Sequence, residues 1–170
     1  MNTNYLSQLY EPLGRFAISF VKLEREISWS FVSASALEVN ETENFLSEIW
    51  CFEAKTKRFS DRVSIWRRTL AEAETRGDAR TQLDCLKKQI VVLLGHRNRL
   101  LHDTSGKVQI SYPEYVVQYC FTKPLKNGTS KETQYSVDDI NNLSDEIEMA
   151  KSDIRAITYS LYPLAPKMVV

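Results

Sequence analysis

The segment "HRNRLLHD", residues 96–103, holds both histidines of the chain, with Arg97, Asn98 and Arg99 between them. Histidine is the side chain best suited to moving protons near neutral pH. Arginine is a fixed cation whose planar fork matches phosphate oxygens. Together they are the minimum set for splitting RNA without a metal. The histidine handles the 2′-hydroxyl or leaving-group proton, and the arginine steadies the charge building on phosphorus. Other chemistries lack their residues. Two histidines close in sequence and three scattered cysteines (Cys51, Cys85, Cys120) do not make a zinc set. Without an ExxH pair the di-iron signature of helical bundles is missing. The five glycines form no phosphate loop, nothing local supports a cysteine nucleophile, and no cofactor is expected.

Spacing sharpens this reading. Asn98 and His102 are four residues apart and share a helix face, so the amide can orient the imidazole. Arg97 precedes His102 by five residues, about 140° around a helix turning about 100° per residue, so the two diverge within one chain. Two copies of this helix end meeting across a dyad form a better site. Purely structural roles stand beside these. Arg97 can be a buried arginine bonded to helix C-terminal carbonyls or to an acid of a neighbouring helix, and His102 a C-cap histidine favoured by the dipole. His96 and Arg99 are secondary candidates for RNA contact, with simple exposure as the alternative.

A helix must position these residues. Leu83, Leu86, Ile90 and Leu93 step by three and four, and the same count lands on Arg97 and then Leu100. A charge at a core position is costly unless it is paired or opens to a polar cavity. Upstream, Leu6, Leu9, Leu13, Phe16, Phe20, Leu23 and Ile27 predict a long first helix. Asn40 and Glu43 form a capping box for a second, which puts Phe45, Ile49, Phe52, Phe59, Val63, Trp66 and Leu70 on one side. Its other side holds the densest basic surface, and Arg58, Arg62, Arg67 and Arg68 are the candidate path for an RNA backbone. Gly77 with Asp78 ends that helix and caps the next.

Residues 107–136 alternate, are rich in β-branched and aromatic residues, and contain the turn signal Asn127-Gly128. They predict a β-hairpin with a short leading strand. Tyr112, Tyr115, Tyr119 and Phe121 fit core or cross-strand pairs, with stacking on bases as the alternative. Ser136 and Asp139 form a second capping box. Ile140, Leu143, Ile147, Ala150, Ile154, Ile157 and Leu161 then keep a seven-residue repeat up to Pro163. Asp138, Asp139, Asp145, Glu146 and Glu148 form its solvated face. The expected fold is all-α in the main: a four-helix up-and-down bundle with a β-hairpin before the last helix, one domain over residues 1–170.

Composition bounds the partners. Lys+Arg and Asp+Glu both number 22, so no global field points to nucleic acid. Yet residues 55–100 carry twelve basic against five acidic residues, while 1–54 carry three against eight, which allows one basic face within a neutral whole. No basic-then-apolar signal opens the chain and no run reaches the roughly 18 apolar residues of a membrane span. Unpaired cysteine spacing reads as reduced thiol, so a cytoplasmic protein without membrane contact is expected.

The stretch "RNRLLH", residues 97–102, near the end of an amphipathic helix, resembles the R-polar-x-x-x-H motif of the HEPN superfamily (higher eukaryotes and prokaryotes nucleotide-binding). The resemblance implies an α-helical bundle and a metal-independent endoribonuclease of a toxin or phage-defence type. It also implies a homodimer with a composite site, in which Arg97 and His102 are catalytic and Asn98 supports them, and an antitoxin protein as a partner. Where one toxin subfamily carries a tyrosine two residues after the histidine this chain has Thr104, so regulation through that tyrosine is not implied. The alternatives are a catalytically inactive HEPN-like module binding RNA, nucleotide or a partner protein, and a plain helical scaffold.

Overall fold

A computed structural model describes residues 3–35, 42–73, 78–102, 107–111, 116–124 and 129–163. The elements are α1 (Thr3–Ser35), α2 (Thr42–Lys55), α3 (Phe59–Ala73), α4 (Asp78–His102), β1 (Lys107–Ser111), β2 (Val116–Pro124), β3 (Ser130–Ser136) and α5 (Val137–Leu161). The chain is mainly α with a β insertion before its last helix, and that insertion runs from the first residue of β1 to the last of β3.

One expected element divides. The single helix predicted from the apolar rhythm of residues 45–70 is α2 followed by α3, so the described residues hold five helices where four were expected. The Thr56 amide donates to the Phe52 carbonyl at 3.0 Å and closes α2. The Arg58 carbonyl then accepts from Asp61 N at 3.1 Å and Arg62 N at 3.2 Å, opening α3. Phe52 and Phe59 lie seven residues apart, two full turns, so the break preserves the phase of the stripe and the period alone cannot reveal it. Asn40, Gly77, Tyr112, Tyr115 and the Asn127-Gly128 turn lie outside the described residues.

The sheet is antiparallel in the order β1-β2-β3. Tyr119, Cys120 and Phe121 of the central strand are 2%, 4% and 6% exposed, so both of its faces are covered there. Tyr119 pairs across to Tyr135 of β3, which supports the core reading of Tyr119 and Phe121 over base stacking. The next residue after β3 starts α5 through the expected capping box. Ser136 N donates to Asp139 Oδ2 at 2.7 Å and Asp139 N donates to Ser136 Oγ at 3.0 Å. Those bonds to Ser136 hold the Asp139 carboxyl below the usual carboxylate range. Ile140, Leu143, Ile147, Ala150, Ile154 and Ile157 are buried, and the acids of the opposite side are exposed.

The chain divides into two compact units, Met1–Phe20 with Leu93–Ile147 and Val21–Val92 with Glu148–Val170. The first is built on Phe16, Phe20, Leu93, Leu100, Tyr119, Phe121, Tyr135 and Ile140. The second packs Leu23, Ile27 and Trp29 of α1 with Ile49, Val63, Trp66, Leu70, Leu83, Ile90 and Ile154.

Polar side chains inside the second unit are matched to each other. Trp66 Nε1 donates to Ser30 Oγ at 2.8 Å, and Thr158 Oγ1 donates to the Ile154 carbonyl at 2.7 Å. That direction leaves the Ser30 hydroxyl to donate to Thr158 Oγ1 at 2.6 Å. Beside this relay Glu26 is fully buried, and Arg155 Nε and Nη2 donate to its two carboxylate oxygens at 2.8 Å each. A bidentate fork is the geometry that best offsets the desolvation of a buried carboxylate. Arg155→Met should therefore lower unfolding stability by about 3 kcal/mol in urea titrations, the low end for a broken buried pair because the guanidinium keeps some contact with water. The double variant Glu26→Met with Arg155→Met should recover most of that loss, and an equal or larger loss in the double variant would contradict the assignment.

Candidate functional site

The candidate residues of 96–102 all stand on the last turns of α4, which runs unbroken to His102. Its core stripe is as expected: Leu83, Leu86, Ile90, Leu93 and Leu100 are buried. Arg97 occupies the stripe position between the last two but is only half-buried. Its guanidinium carbon lies 5.4 Å from the ring centroid of Phe20, which is 1% exposed. A cation resting on the face of a buried ring keeps its outer edge in water while its inner face packs. This is how the helix accommodates an arginine where a leucine would fit. Asn98 is exposed. His102 is the last residue of α4, and its side chain lies outside the described residues.

His96 and Arg99 are drawn together by a residue far along the chain. His96 Nδ1 and the Tyr135 hydroxyl are 2.8 Å apart, and Arg99 Nη1 donates to the same hydroxyl at 3.1 Å. The imidazole also meets the tyrosine ring edge-on, with centroids 5.6 Å apart, and Phe121 packs edge-on against the same ring at 5.9 Å. Tyr135 is 4% exposed, so its own hydrogen needs an acceptor within the protein. With Arg99 donating to the oxygen, the acceptor at hand is His96 Nδ1. The imidazole is then neutral and carries its proton on Nε2. Charge argues the same way. Burial and the Arg99 cation push the His96 pKa below its ordinary 6.5, with Glu146 of α5 opposing them.

The basic path expected along the second helix narrows on inspection. Arg62 is 9% exposed, with Nη2 3.3 Å from Glu24 Oε2 and Nη1 3.8 Å from Glu53 Oε1. It also lies over the Phe59 ring at 5.5 Å. Arg67 forms a bidentate pair with Asp84 at 2.7 and 2.8 Å, which holds that carboxyl below its usual range. Of the four arginines on the candidate RNA path, Arg62 and Arg67 are bound to carboxylates of their own chain, while Arg58 and Arg68 are exposed. The acidic partners of Arg62 and Arg67 stand 9 to 38 residues away in sequence and on other helices, so helical spacing does not predict them.

Sequence reasoning missed Tyr135. Strand alternation places it inward, but nothing in the sequence pairs it with His96, 39 residues earlier. Two open hollows of 360 and 530 Å³ belong to the second unit. One is floored by Leu86 and Ile157, the other by Phe31 and Phe52, and neither includes a residue of 96–102. Among the described residues no group of three or more His, Cys, Asp or Glu is placed to hold a metal, and no helix is long and apolar enough to cross a membrane.

The depressed His96 value carries a sign. As pH falls through 6.5, an unfolded chain takes up a proton that the folded one refuses, so folding weakens toward acid. His96→Gln should flatten this part of the stability profile, measured as Tm between neutral and mildly acidic pH, whereas an unchanged profile would separate His96 from the acid sensitivity. Comparison of the chain with protein-family models, curated proteins and solved structures returned no match.

Proposed function

We propose that the protein is a metal-independent endoribonuclease of a toxin or phage-defence type, acting as a homodimer whose cleft takes Arg97 and His102 from both copies. The observation that carries this reading is the unbroken course of α4 through both residues. A regular helix holds them about 140° apart, so one chain does not present both to a single phosphate and two chains can. Further support comes from Arg97 keeping contact with solvent on the Phe20 ring, and from the exposure of Asn98 and Leu101 beside it.

In this reaction the RNA 2′-oxygen attacks the adjacent phosphorus and the bond to the 5′-oxygen breaks. The histidine of one copy takes the 2′-hydroxyl proton, and the imidazolium of the other copy's histidine gives a proton to the departing 5′-oxygen. Arginine stabilises the extra charge on the phosphoryl oxygens. The products carry 2′,3′-cyclic phosphate and 5′-hydroxyl ends. Asn98, one turn before His102, orients the imidazole. A protein antitoxin is the regulatory partner this reading carries.

Purified protein should cleave single-stranded RNA in the presence of EDTA. Arg97→Ala and His102→Ala should each lower the rate roughly 10²- to 10⁴-fold with circular dichroism unchanged. Wild-type protein that leaves RNA intact while binding RNA or a nucleotide would replace this reading with that of a non-catalytic binding module.

A further inference from the structure

Glycine in the interior of a helix costs about 1 kcal/mol relative to alanine. Gly95 of α4 has no packing reason for that cost, because a Cβ built there meets nothing within 4 Å. The space beyond it is open. Counting along the helix, Gly95, Asn98, Arg99 and His102 fall at i, i+3, i+4 and i+7, which is one face, with His96 at its edge. Asn98 and Arg99 are exposed on it. No carboxylate among the described residues forms an ion pair with Arg99, whose hydrogen bond goes to the Tyr135 hydroxyl.

That hydroxyl fixes two donors at once. It anchors one corner of the Arg99 guanidinium through Nη1, the fork's other nitrogens having no partner among the described residues, and it turns His96 Nδ1 inward, leaving the Nε2 proton on the opposite side of the ring. A fixed cation and a neutral N–H donor, held by one hydroxyl on the helix turn that follows Gly95, match a phosphate bearing a single negative charge.

We infer that this face of α4 is a phosphate subsite for single-stranded RNA, in which Arg99 and His96 bind a phosphodiester and Gly95 leaves room for its close approach. The inference rests on the nuclease reading for the identity of the ligand, and it assigns the phosphate next to His102 to Arg99 of the same chain. Arg99 stands about 60° from His102 around the helix axis, far closer than Arg97.

Two probes test it: inorganic phosphate, followed by NMR at the His96 ring and Arg99 guanidinium, and a 2′-O-methyl oligoribonucleotide, which has no free 2′-hydroxyl to attack, followed by fluorescence anisotropy. Both should perturb those two side chains. Tyr135→Phe should weaken oligonucleotide binding roughly five- to tenfold through loss of the fixed donors. Gly95→Gln should weaken it at least about tenfold by filling the gap while melting no lower than wild type, since glutamine favours the helix. Signals that stay in place at saturating probe, or binding unaltered by Gly95→Gln, would overturn the subsite. A response to phosphate without oligonucleotide binding would overturn its assignment to RNA. Cleavage that requires Arg97 but survives both variants with unchanged binding would sink the subsite and spare the nuclease reading. Probe binding at this face in a protein that cuts no RNA would do the reverse.

Discussion

The buried hydroxyl of Tyr135 is the group on which the candidate site depends. From β3 it reaches two consecutive turns of α4, accepting from Arg99 and donating to His96. A hydroxyl with one hydrogen and a buried oxygen cannot satisfy both neighbours in arbitrary states. It therefore imposes a tautomer on the histidine and a direction on the arginine. Phe121 and the edge-on imidazole hold the phenol in turn, so the sheet acts as a template for the helix end. The β insertion thereby gains a physical purpose in the first unit: it supplies the inner partner of side chains whose outer groups remain available.

The second unit solves a related problem differently. Glu26 is sealed from water and answered by a bidentate arginine, and a tryptophan, a serine and a threonine pass hydrogen bonds down to a helix carbonyl. Such groups spend their principal hydrogen bonds on one another, inside the chain. Arg62 and Arg67 belong with them, each bound to acids of the chain. The contrast separates arginines that fasten the fold from those on α4. Arg97 lies on an aromatic face and Arg99 on a phenol, and both retain contact with solvent.

Apolar periodicity carried most of the fold. Phe16, Phe20, Leu23 and Ile27 of α1, the leucines and Ile90 of the α4 stripe, and Ile140 through Ile157 of the α5 repeat are buried where their spacing marks them. The Ser136–Asp139 box opens α5 as its residue types require. Two things escaped it for the same reason. The break after Lys55 keeps the seven-residue phase, and ion pairs such as Arg67 with Asp84 join separate helices, so neither leaves a periodic trace. At the site, Arg97 was visible as an anomaly because it interrupts a leucine rhythm. Its resolution on Phe20 was not visible, since a ring in another helix has no fixed register with it. His96 and Arg99 looked secondary for want of a partner, and that partner lies in β3.

The histidine tautomer tests this account most directly. Long-range proton–nitrogen NMR of the imidazoles at neutral pH, with His102→Gln used to assign the signals, reports which ring nitrogen carries the proton. The account predicts that His96 is neutral, protonated on Nε2 and accepting at Nδ1. An imidazolium at neutral pH, or a proton on Nδ1, would contradict it.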